Sequence, residues 1–60
     1  MRVFTLIELF RLTRAELFGL YREIATVLAA MPDNDPERPV ALANLRNIRT
    51  ALARPNFAPR

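Results

Sequence analysis

The sequence has no cysteine, histidine, lysine or tryptophan, and one glycine, Gly19, in 60 residues. Without cysteine, no disulfide or thiolate metal site can supplement the core. Without histidine, the chain lacks the commonest general base and metal ligand of neutral pH. It also has no Ser/His/Asp set, no glycine-rich phosphate loop and no paired carboxylates suited to acid–base work. The sequence therefore reads as non-enzymatic, with no cofactor and no metal. No uncharged run approaches the roughly 20 residues of a membrane-spanning helix. Apolar residues follow Met1-Arg2, but Glu8 and Arg11 interrupt them and no small-residue cleavage site follows, unlike a secretory leader. A cytoplasmic location is the expectation.

All nine basic residues are arginine, and the net charge is +3. Guanidinium forks suit phosphate and carboxylate. An arginine-, alanine- and proline-rich genome gives the same composition, and so small a charge does not separate the two.

What is present is helical signal. "TLIELFRLTRAEL" contains two capping boxes, Thr5-x-x-Glu8 and Thr13-x-x-Glu16, in which hydroxyl and carboxylate each satisfy a free amide of the first turn. Phe4 with Leu9, and Leu12 with Leu17, are spaced as the matching hydrophobic staples. Leu17, Tyr21, Ile24, Leu28 and Met31 then fall in one seam of a long helix. "MPDNDP" stops it, and "PVALANLRNIRTALAR" predicts another helix with Leu42, Leu45, Ile48 and Leu52 as its apolar stripe. This helix is expected to start near Pro39, because the residue before a proline disfavours helical geometry. Arg54 suits its C-terminal end, and Pro55 closes it.

The expected fold is all-α, a single domain over residues 1–54. It has helices at about 6–11, 14–30 and 39–53, a break at Leu12-Thr13, and a flexible tail at 55–60. The short loop after residue 31 makes the second and third helices antiparallel neighbours. The first helix is apolar around most of its circumference, which calls for burial on more than one side. A chain this short buries little surface alone, so assembly as a helical-bundle homodimer is expected. The candidate interface comprises Phe4, Leu6, Ile7, Leu9, Phe10, Phe18 and Gly19, the last forming a small-residue strip with Thr26 and Ala30.

The alternative is a small DNA- or RNA-binding regulator. Arg46 and Arg49 on one flank of the third helix, and Asn44 and Asn47 on the other, are residue types that read base edges. The competing reading gives them solvated flanks, with Glu16 and Glu23 pairing with the arginines across the hairpin. "DNDPE" resembles the start of a calcium loop but lacks its glycine and distal glutamate, and reads as a turn.

With "LFRLTRAEL" and "NLRNIRTALAR" in place, residues 3–54 resemble a group of short helical proteins of proteobacterial genomes that carries no known activity. The resemblance implies a bacterial, cytoplasmic accessory protein. Independently of the resemblance, the apolar first helix makes a second copy and a further protein the expected partners.

Overall fold

The computed structural model describes residues 1–53; Arg54, Pro55 and the tail expected at 55–60 lie outside the described residues. Three helices follow one another: α1 (Leu6–Phe10), α2 (Arg14–Ala29) and α3 (Arg38–Ala53), with no strand among the described residues.

Both helix starts announced by the sequence are formed. The Thr5 hydroxyl accepts from the Glu8 amide at 3.2 Å, and the Glu8 carboxylate accepts from the Thr5 amide at 2.9 Å. At α2 the Thr13 hydroxyl accepts from the Glu16 amide at 3.1 Å, and the Glu16 carboxylate accepts from the Thr13 amide at 2.8 Å. Between the helices, the amides of Arg11 and Leu12 donate to Glu8 and Leu9 carbonyls at 3.2 and 3.1 Å, which tightens the last turn of α1. Thr13 is then extended, with ψ 164°. The second capping box re-starts the chain as a separate helix, so α1 and α2 do not run on as one rod.

The third helix starts one residue earlier than the proline rule predicts. The Asp35 carboxylate accepts from the Glu37 amide at 2.8 Å, and the Glu37 carbonyl accepts the first helical bond from Ala41 at 3.0 Å. Helical bonding therefore begins at Glu37. Pro39 still lies in the first turn, where its missing amide leaves no bond unmade.

Helix α3 is central, packing against both α2 and α1. The core gathers Leu9 of α1, Leu17 and Ile24 of α2, and Ala41, Leu45, Ile48 and Ala51 of α3. Both staple pairs belong to this assembly, with Phe4 and Leu12 half-buried against it. Leu42 departs from expectation: it is 46% exposed, while Ala41, Asn44 and Ala51 are buried. The cause is that α3 has neighbours on two sides. Its buried arc widens toward Asn44 and Ala51, and Leu42, about 120° from Ile48 at 3.6 residues per turn, is left outside.

Candidate functional site

Two surfaces and one internal clamp emerge from this packing. The clamp lies where the N-terminal segment crosses α3. Asn44 is fully enclosed. Its side-chain oxygen accepts from the Phe4 amide at 2.7 Å, and its side-chain nitrogen donates to the Arg2 carbonyl at 2.9 Å. One carboxamide thus pairs with a peptide donor and a peptide acceptor, as a neighbouring strand would. Asn47 adds a bond to the Phe4 carbonyl at 3.0 Å. The Met1 amino group lies 2.9 Å from the Glu37 carboxylate.

These bonds correct the nucleic-acid expectation for two residues. Asn44 has no exposed surface and Asn47 is half-buried, both engaged by Arg2 and Phe4 backbone. Asn44 is not presented to a base edge, and the amide nitrogen of Asn47 is taken up by the Phe4 carbonyl. An unpaired buried amide would be costly, so the N-terminal segment is the partner that α3 requires.

The clamp continues into the cap of α1. Arg2 donates to both Glu8 oxygens, at 2.9 and 2.8 Å, and its guanidinium lies 4.6 Å from the Phe4 ring centre. The Arg2 fork, followed by the Thr5 amide, pulls the Glu8 carboxyl down to about 2 from an ordinary 4.5. Two charge-assisted bonds in parallel favour the ionised acid.

The first surface is apolar. Ile7 is 68% exposed and Leu6 37%, with Val3 at 45% and Met1 at 47% preceding them. Not all of the expected interface lies here. Leu9 is buried in the chain's own core, and Phe4 and Phe10 are half-buried against it. Leu9 points inward because it is the staple partner of Phe4, which removes it from any external contact. Phe18 is half exposed on α2, under the Arg14 guanidinium at 5.4 Å. Gly19 is exposed, and a Cβ built there meets nothing within 4 Å.

The second surface is basic. With Leu17 and Ile24 as the buried line of α2, Arg14, Phe18 and Arg22 lie roughly 60–140° around the helix in one sense, and Glu16 and Glu23 about 100–120° in the other. On α3, taken from Ile48, Arg38, Leu42, Arg49 and Arg46 lie roughly 80–160° around in the first sense; Asn44, Ala51 and Asn47 lie in the second. Arg22, Arg46 and Arg49 are exposed and Arg38 half-exposed. Glu16 and Glu23, which could pair with α3 arginines, form no ion pair with them among the described residues. Among the described residues the ion pairs are Arg2–Glu8 and Met1–Glu37, and Glu16 is engaged in its own capping box.

Among the described residues no group of three or more acidic, histidine or cysteine side chains is placed to hold a metal ion, and no helix is long and apolar enough to cross a membrane. Comparison with protein-family models, curated proteins and solved structures gives no match.

Proposed function

We propose that this chain is a small non-enzymatic helical interaction protein that works as a homodimer, its copies meeting through the exposed side of α1 and the segment before it. The exposure of Ile7 carries this reading. A large aliphatic side chain 68% open to water, on a helix whose opposite side holds the fully buried Leu9, makes α1 two-faced in the wrong direction for a lone monomer. Leu6 beside it is 37% exposed, and Val3 and Met1 in the segment before α1 are exposed as well. Four large apolar side chains left open within seven residues of chain favour an association surface. A second copy is the simplest occupant, because a two-fold arrangement covers the same patch on both chains at once.

Within each chain, α2 and α3 form an antiparallel hairpin. The connection supports it: Asp35 donates to Pro32 and Arg38 to Asp35 at 3.1 and 3.0 Å, so the loop closes in two tight turns. A loop folded so compactly cannot traverse a helix of about 24 Å to restart α3 in parallel. The setting consistent with the "LFRLTRAEL" and "NLRNIR" segments is the bacterial cytoplasm, with a further protein as the dimer's partner.

Light scattering at micromolar concentration tests the assembly. The expected mass is at least twice the 6.9 kDa of the chain. Ile7→Glu, at an exposed position, is expected to give a folded species of half the wild-type mass. A well-folded wild-type monomer refutes the proposal.

A further inference from the structure

We propose that the face of α2 and α3 carrying Arg22, Arg38, Arg46 and Arg49 binds the phosphate backbone of nucleic acid without reading base sequence. The placement rests on the antiparallel hairpin argued above. In an antiparallel pair of right-handed helices, rotation in the same sense away from the contact leads to the same side of the pair. Arg22 on α2 and Arg38, Arg46 and Arg49 on α3 are displaced in that common sense. The N-terminal segment, held by Asn44 and Asn47, lies on the opposite flank of α3. The arginine face is therefore the uncovered side of the hairpin.

The helical flanks that form it carry basic side chains and no carboxylate. None of these four arginines forms an ion pair among the described residues, and the carboxylates of α2, Glu16 and Glu23, are on the other flank. Four unneutralised guanidiniums within one small face attract a polyanion, and the planar fork matches phosphate oxygens. From Arg38 to Arg49, α3 rises roughly 16 Å, the axial length of about five base pairs.

One observation favours nucleic acid over an anionic lipid surface. The large apolar side chains on this face are Phe18 and Leu42, 49% and 46% exposed, each flanked by arginine; a membrane-lying helix needs a continuous apolar stripe. Base discrimination is not expected, because Asn44 and Asn47 are occupied by the N-terminal segment.

The test is fluorescence anisotropy of labelled 20-base DNA, double- and single-stranded, titrated with the full chain at 50–200 mM salt. Binding near 150 mM is expected in the non-specific range, about 10⁻⁵ to 10⁻⁶ M. The slope of log K against log salt is expected near −3.6 per chain on duplex, from about four phosphates at roughly −0.9 each. Arg46→Ala with Arg49→Ala should halve that slope and weaken binding at least tenfold with helicity unchanged. Arg22→Ala with Arg38→Ala, drawn from both helices, should do the same. Arg11→Gln, at the end of α1, should do far less.

Equal losses from Arg11→Gln and the face variants would indicate diffuse attraction and overturn the proposal. Loss from the α3 pair alone would overturn the shared face. Tighter binding to vesicles mixing phosphatidylserine with phosphatidylcholine, through the same arginines, would replace nucleic acid with membrane. Light scattering in the same buffer keeps the outcome separate from the dimer, since Ile7→Glu should change mass while retaining the arginine face.

Discussion

Asn44 offers the sharpest test of what holds the N-terminal segment and α1 on α3. Asn44→Ala deletes two bonds, to the Phe4 amide at 2.7 Å and the Arg2 carbonyl at 2.9 Å. Each partner left unpaired costs about 1–3 kcal/mol if it stays buried. Asn44 is enclosed but Arg2 is exposed, so water can reach the Arg2 carbonyl once the bond is lost, and the total is placed at about 2–4 kcal/mol. A chain of this length is stabilised by roughly 3–9 kcal/mol, so the loss takes about a fifth of the whole at the least. Urea denaturation followed by helical circular dichroism measures it. Asn44→Leu separates bonding from packing, because it fills similar volume with no polar atom. It should be destabilised almost as much as the alanine variant. A leucine variant as stable as wild type would refute the claim that the carboxamide acts through its bonds. Asn44→Asp adds a sign. Its carboxylate can accept from Phe4 but faces the Arg2 carbonyl, so burial and that oxygen raise its pKa in the folded state. Stability should then be better at low pH, where the protonated acid can donate to Arg2, and should fall as pH rises through the raised value.

The caps and the Arg2 fork give two further expectations. Thr13→Ala should cost about 1 kcal/mol in urea denaturation and Thr13→Asp little, because aspartate caps as well as threonine; a neutral alanine variant would mean the break before α2 does not depend on its cap. Glu8 has a folded-state pKa near 2 against an ordinary 4.5, so its contribution is complete above about 4.5 and disappears as pH falls toward 2. Thermal melts of Glu8→Gln should show a smaller acid-side decline over that window than wild type, and identical declines would remove the fork from any role in stability.

The parts of the fold legible in the sequence are those fixed by neighbours a few residues apart. Thr5 with Glu8 and Thr13 with Glu16 are separated by three residues, so each box announces its own helix without tertiary context. The α2 seam is similarly local, and Leu17 and Ile24 are its buried members. Asn44 was not legible as a core residue, because its partners are backbone groups 40 and 42 positions away. Backbone groups carry no residue identity, so no motif marks them. One signal was available. Asn44 stands three residues after Ala41 and four before Ile48, both fully buried, on the arc that Ala51 completes. A carboxamide on such an arc needs both a donor and an acceptor, and a peptide outside any helix offers the two together. The segment before Thr5 is such a peptide. The arginine face divides the same way. That Arg38, Arg46 and Arg49 share a flank follows from helical spacing, whereas the common side with Arg22 proposed above requires α3 to be antiparallel to α2. With α3 parallel to α2, the same rotational flank would face the opposite side. Arg46 and Arg49 would then look toward Glu16 and Glu23, and the paired, solvated reading of these arginines would follow from the identical sequence spacing.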